Sequence, residues 1–181
     1  MRIRLVVALA SVLALLGAAQ APAADVVHQE QYWSWTGPQD WIATSGAYGI
    51  AISDARGTMG IDYGGSSTLC DGQPDQHFKA ARDAIKGNLK RMKIRRNRFQ
   101  QRDGTFFNTF EFKAKADGRD IRGEIKLAYS SYDGQYCYAS GLTKAAPAKG
   151  YARSIRKLRQ VTDSIAYFGP GLPLDPETGL P

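Results

Sequence analysis

The residues predict an α+β domain: an antiparallel β-sheet, made of an N-terminal hairpin and a C-terminal meander, packed by two helices. Three observations carry this expectation. Apolar and polar residues alternate through two long segments on either side of Asp117-Gly118, a dipeptide that favours a tight hairpin turn. Two other segments repeat their apolar residues at spacings of three and four, the period of a helix with one buried side. The order is strands, helix, strands, helix, without the strict alternation that a parallel α/β sheet requires.

Val26 to Trp35 holds Tyr32, Trp33 and Trp35, an aromatic-rich segment that suits a strand or a lid over a core edge, broken by Gly37-Pro38. Trp41-Ile42-Ala43 restarts an extended run. In "YGIAISDARGTMGIDYG", Ile50 and Ile52, then Met59, Ile61 and Tyr63, alternate about a turn at Asp54 to Gly57. That is a β-hairpin pattern. Gly64 to Pro74 reads as a loop rich in Gly, Ser and Asp. Pro74 and Asp75 open the first helix, since proline suits the first turn and an acid suits the helix dipole. Its stripe is Phe78, Ala81, Ile85, Leu89 and Met92, and the helix is expected to end near Asn97.

The meander follows. Phe106, Phe110, Phe112, Ala114 and Ala116 share one parity, and Phe107, Thr109, Glu111, Lys113 and Lys115 the other. Beyond Asp117-Gly118, Ile121, Ile125, Leu127 and Tyr129 alternate with Arg122, Glu124 and Lys126. One dry face and one wet face is the antiparallel signature. Asp133-Gly134 marks a second turn, and Gln135 to Leu142 a third strand. The closing helix, opened by Pro147 and Lys149, buries Tyr151, Ile155, Leu158, Val161, Thr162, Ile165 and Phe168 and stops at Gly169-Pro170-Gly171.

The tryptophan-rich start, "GIAIS", the hairpin, the helix, the long meander and the closing "LRQVTDSIAYF" together resemble the PsbP-like fold, which includes the photosystem extrinsic protein and assorted exported bacterial proteins. The resemblance implies a sheet between helices, and a protein that binds partners and does not catalyse. It assigns no functional residue.

Residues 1–24 have the order of a secretory signal: a basic start at Arg2 and Arg4, an apolar run from Leu5 to Leu16, and Ala21-Pro22-Ala23 before the cut. Cleavage near Ala23–Asp25 leaves a single domain over 25–168 and a Pro/Gly-rich tail over 169–181, expected to be disordered. The apolar run is too short to span a bilayer and no later one is longer, so no transmembrane anchor is expected. The formal charge is +7, and loss of Arg2 and Arg4 would leave a basic protein. Only Cys70 and Cys137 are present. In an exported chain the expectation is one disulfide, with two separate buried thiols as the alternative.

The most insistent local signal is "NLKRMKIRRNRFQ" at 88–100. Lys86, Lys90, Arg91, Lys93, Arg95, Arg96 and Arg98 are candidate anion-binding residues on the first helix. Arg153, Arg156, Lys157 and Arg159 of the last helix extend the patch if both helices lie on one side of the sheet. A solvated helix face in a basic protein is the plainer account. The partner expected of an exported protein is another protein or an acidic envelope polymer, with intracellular nucleic acid out of reach.

Catalytic and cofactor chemistry find little support. The phosphate-cradling patterns G-x-G-x-x-G and G-x-x-x-x-G-K are missing, and "YGGSSTL" has Thr68 where a nucleophile elbow needs glycine. Asp71, Asp75 and His77 are close in sequence, but helix capping explains them as well as a metal does. Acid–base chemistry beside arginines could draft Glu111, Glu124 or His77, but Glu111 and Glu124 on adjoining strands more plainly fit cross-strand ion pairs with Lys113, Lys115, Arg122 and Lys126. Trp33, Trp35, Trp41, Tyr132, Tyr136 and Tyr138 suit a carbohydrate or protein partner if exposed, and core packing if buried. No cofactor or metal is expected. The preferred reading is a non-enzymatic exported binding or accessory domain, with a small nuclease-like hydrolase of unassigned catalytic residues as the alternative.

Overall fold

A computed structural model describes residues 24–131 and 134–169. The segment expected to be a signal peptide, up to Ala23, together with Tyr132, Asp133 and residues 170–181 of the expected tail, lies outside the described residues.

Within them the expected α+β class is found, as two antiparallel sheets and two helices. Strands β1 (Asp25–Gln29), β2 (Trp33–Pro38) and β10 (Ala166–Tyr167) form a small sheet in the order β1-β2-β10. Seven further strands form the large sheet: β3 (Ile42–Gly46), β4 (Gly49–Ser53), β5 (Gly60–Leu69), β6 (Lys90–Arg102), β7 (Thr105–Ala116), β8 (Arg119–Ser131) and β9 (Tyr136–Pro147). Their order is β3-β4-β5-β9-β8-β7-β6. Helix α1 spans Pro74–Asn88 and α2 Tyr151–Thr162.

The meander is as the alternation predicts. Phe110, Phe112 and Ala114 of β7 are buried, as are Ile125, Leu127 and Tyr129 of β8. Asp117 and Gly118 both have positive φ, 49° and 77°, as a two-residue hairpin turn requires.

Several boundaries differ. The expected helix through Asn97 ends at Asn88, and the basic run is the edge strand β6. Leu89 leaves the helix with extended geometry, φ −113° and ψ 113°. Asp103 and Gly104 then form a second hairpin turn, φ 49° and 77°, which pairs Arg102 with Thr105 and zips β6 onto β7. The expected loop from Gly64 continues as strand to Leu69, because β5 pairs with β9 from Gly60↔Ala145 to Leu69↔Tyr136. The single N-terminal strand is a hairpin, β1 with β2, and Gly37-Pro38 lies within β2 rather than breaking it. Helix α2 stops at Thr162. Ile165 remains buried, but Phe168 is exposed, since Ala166 and Tyr167 leave the helix to pair with Ser34 and Trp33.

Two cores flank the large sheet. On one face Phe78 of α1 packs with Phe110, Phe112, Ile125, Leu127 and Tyr129. On the other, Ile155, Leu158 and Val161 of α2 pack with Ile61, Tyr63, Leu142 and Ala146 of the large sheet and with Trp33 and Trp35 of β2. Because side chains alternate across a strand, the odd-numbered residues of β8 belong to the α1 face and the even-numbered ones to the α2 face. The helices therefore lie on opposite faces. Trp33, Trp35 and Trp41 are all buried, so the tryptophan cluster is core and not a binding platform. Tyr138 is buried as well, and Tyr136 is exposed.

Cys70 and Cys137 form a disulfide, Cα–Cα 5.0 Å. It links the segment that leads into α1 to the strand beneath it. No helix among the described residues is long and apolar enough to cross a membrane.

Candidate anion-binding surface

β6 does not pair evenly with β7. Lys90 lies opposite Lys115 and Lys93 opposite Lys113; Arg95 lies opposite Glu111 and Arg98 opposite Thr109. In each interval β6 uses three residues where β7 uses two, so each holds a β-bulge. Arg91 and Arg96 sit in these intervals with φ of 56° and 50°. The left-handed region costs a non-glycine residue roughly 1–2 kcal/mol.

The bulges decide which way the cations point. In an even strand, residues three apart face opposite sides. Here Lys90, Lys93, Arg95 and Arg98 all share the face of Lys113, Glu111 and Thr109, which is the α2 face. Arg102, paired with Thr105, joins them. Ile94 and Phe99 fall on the other face, in register with Phe112 and Asn108, where Phe99 meets Phe78 edge-on at 6.0 Å. Met92 is buried in the same core.

A buried side chain holds the second bulge. Asn108 is 1 % exposed. Its amide donates to Asn97 Oδ1 at 2.8 Å and to the Arg98 carbonyl at 3.2 Å, while its oxygen accepts from Arg82 of α1 at 3.0 Å. Every polar atom of the amide is used, as burial demands.

Glu111 and Glu124 are directly opposed across β7 and β8, a repulsive placement unless each is neutralised. The expected neighbours do not do this. Arg96, from the bulge, reaches Glu111 at 3.1 Å. Arg159 of α2 hydrogen-bonds one oxygen of Glu124, and Lys144 of β9 lies 3.8 Å from the other. Burial holds the Lys144 ammonium below its ordinary pKa, partly offset by Glu124. The Glu124 bond raises Arg159. Burial, with the Glu124 charge adding to it, pushes the Tyr151 phenol up to about 12, and Arg122 sits over that ring at 4.6 Å. Lys126 covers the Phe107 ring at 5.0 Å.

Glu124→Gln is expected to leave Lys144 poorly solvated beside Arg159 without a counter-charge. The expected loss is roughly 1–3 kcal/mol at neutral pH, below the range for a fully buried pair because Glu124 retains some exposure. The lowered Lys144 pKa means that the unfolded chain binds more protons as pH approaches the ordinary lysine value from below, so stability rises with pH there. Urea midpoints of the variant against pH should climb over that range; a flat profile would show Lys144 to be well solvated.

The candidate patch thus differs from expectation in two ways. Lys90, Arg91, Lys93, Arg95, Arg96 and Arg98 stand on a strand, and Lys86 is on α1, across the sheet from the row. The two helices do not share a side, yet the bulges turn the β6 cations toward the α2 side. Arg156 and Arg159 are three apart and so share the edge of α2 that faces β8. Lys157 instead pairs with Asp25 of β1 at 2.7 Å, and Arg153 points outward. Arg102, Asn108 and the bulges are the parts that the sequence reading missed.

The other candidates are dispersed. His77 lies on the α1 face, opposite Glu111 and Glu124, so these three are not brought together. Its Nε2 is 2.9 Å from Asp71 Oδ2, and its ring stacks on Tyr129 at 4.8 Å. Asp71 also accepts from the Gln73 amide at 2.9 Å and from Tyr129 Oη at 3.3 Å. The Gln73 amide does most to hold the Asp71 carboxyl below its usual pKa. These bonds shape the entry into α1. No group of three metal-ligating side chains occurs among the described residues. Beside α1 runs a cleft of about 480 Å³ with walls of Phe78, Ala81 and Ile85 and a floor of Gly64, Ser66, Ala139 and Gly141.

No protein-family model and no curated protein matches this chain. Solved structures do. LpqN of Mycobacterium tuberculosis, described as involved in cell envelope biogenesis, is 14% identical over 78% of this chain and 88% of its own, with a TM-score of 0.52. The cyanobacterial PsbP protein CyanoP of Synechocystis is 11% identical over 83% of this chain and 96% of its own, with a TM-score of 0.46. A protein of Bacteroides thetaiotaomicron is 10% identical, over 84% of this chain and 51% of its own, with a TM-score of 0.41. Of these three, the overlap with LpqN shows a shared fold.

Proposed function

We propose that this chain is an exported, non-enzymatic accessory domain, residues 25–168, that holds an anionic partner of the cell envelope on the α2 face of β6–β8. One observation carries the reading: two bulges bring Lys90, Lys93, Arg95 and Arg98 onto one face of an exposed edge strand. A strand that needed charge only to stay soluble would gain nothing from that arrangement, since lysines on either face deter edge pairing. The strain at Arg91 and Arg96 points the same way, because left-handed non-glycine residues concentrate where a geometry is used. Export is supported by the oxidised cysteine pair and by the leader-like start of the sequence. The envelope role stated for LpqN fits the same setting.

The test is salt-dependent retention of the purified domain on an anionic matrix. Lys93→Gln/Arg95→Gln/Arg98→Gln is expected to weaken retention roughly tenfold or more near physiological salt, through lost counterion release. The thermal midpoint should move little, as all three side chains are exposed. Equal retention of the two proteins would remove this face from consideration.

A further inference from the structure

We propose that the partner of this face is a linear polyol-phosphate polymer lying along β6, with Asn108 as the positioning residue that keeps the cations in step with it; this rests on the anionic reading above. The spacing is the reason. Lys90, Lys93, Arg95 and Arg98 take successive same-face places on β6, with Arg102 further along the row. Successive places lie roughly 7 Å apart. Two residues of strand contain six backbone bonds. Phosphodiester groups joined through a three-carbon unit are also six bonds apart, so an extended chain of them repeats at nearly the same distance.

The bulges preserve this repeat in a sequence whose basic residues are unevenly spaced. Arg96, the left-handed residue of the second bulge, also occupies Glu111, the carboxylate opposite Arg95. A single-stranded nucleic acid has the same phosphate repeat, but its binders add rings on which successive bases stack. Here Phe107 is the ring on this side of β7, and Lys126 covers it. Phe99 faces the other way. The track therefore suits a polymer without bases.

The probes are synthetic glycerol-phosphate oligomers of graded length, oligothymidylates with equal numbers of phosphates, and polyglutamate of equal charge. Glycerol-phosphate affinity is expected to rise with each added phosphate and to level once the oligomer spans Lys90 to Arg102. The salt slope of log K should then be about −3 to −4, at roughly 0.7 per phosphate contact. Polyglutamate, with a charge every three backbone bonds, should bind about tenfold or more weakly. Asn108→Ala should weaken glycerol-phosphate binding about tenfold while leaving polyglutamate binding unchanged, because every cation is retained. Asn97→Ala, at an exposed position, removes one of the same bonds and serves if Asn108→Ala does not fold. Arg153→Glu, off the row, should have no effect.

Equal binding of polyglutamate would overturn the polyol-phosphate proposal and leave the anionic reading standing. Oligothymidylate binding tighter by tenfold or more would replace the occupant with a nucleic acid. Salt-insensitive or absent binding of every probe would end both.

Discussion

Replacing Cys70 and Cys137 together by Ala is expected to lower stability by about 4 kcal/mol. The disulfide closes a loop with a sequence separation of 67, and the loss of that constraint from the unfolded chain sets the magnitude. The effect should also be uneven. Phe78 is the only fully buried residue of α1, and Cys137 lies in the core it packs against. Hydrogen exchange should therefore accelerate over 74–88 more than over α2, whose stripe sits in the separate core with Trp33 and Trp35. Denaturant midpoints of the oxidised and double-alanine proteins provide the check. Coincident midpoints would mean that the crosslink restrains nothing in the unfolded ensemble.

Gly123→Ala is the second change expected to act strongly, with a loss of about 2–3 kcal/mol from overpacking. Gly123 lies mid-strand in β8, opposite Phe112 on one side and Ala145 on the other. An added Cβ would meet the Phe112 ring at 2.3 Å and the Lys144 carbonyl at 2.5 Å. Phe112 is 1 % exposed and has nowhere to turn, and the carbonyl belongs to the sheet ladder. The ring lies over the glycine and fills the space that a side chain would occupy. Combining Gly123→Ala with Phe112→Leu should restore part of the loss, and a thermodynamic cycle measures that coupling. Additive losses would place the clash at the carbonyl instead of the ring.

The segment from 89 to 100 shows where local reading failed. Leu89 and Met92 continue the three-and-four spacing of Phe78, Ala81 and Ile85, so a helix running on to Asn97 is a sound inference from period alone. A bulged strand produces the same signal. Each extra residue turns a spacing of two into three, as between Lys90 and Lys93, and one such step after Leu89 and Met92 reads locally like a helical one. Asp103-Gly104 was the available counter-signal, because a hairpin turn needs a strand on both sides. The meander beyond it has unbroken alternation and was legible for that reason. So was the cysteine pair, since the expectation of export leaves two cysteines few alternatives to a disulfide.

Turn chemistry, alternation and cysteine count were therefore enough to specify an α+β class, the β7–β8 hairpin, the buried stripe of α2 and the disulfide. The family resemblance, and not the local pattern, implied helices on both faces of the sheet; tertiary structure alone decided that Trp33 and Trp35 close a second core and that the β6 cations turn toward α2. The physical reason is that a strand offers two faces and an edge with nearly equal local preferences. What breaks the tie here lies outside each strand itself: Asn108 gripping a bulge across a hairpin, Arg159 reaching Glu124 from another element, and Ala166 and Tyr167 returning to pair with β2.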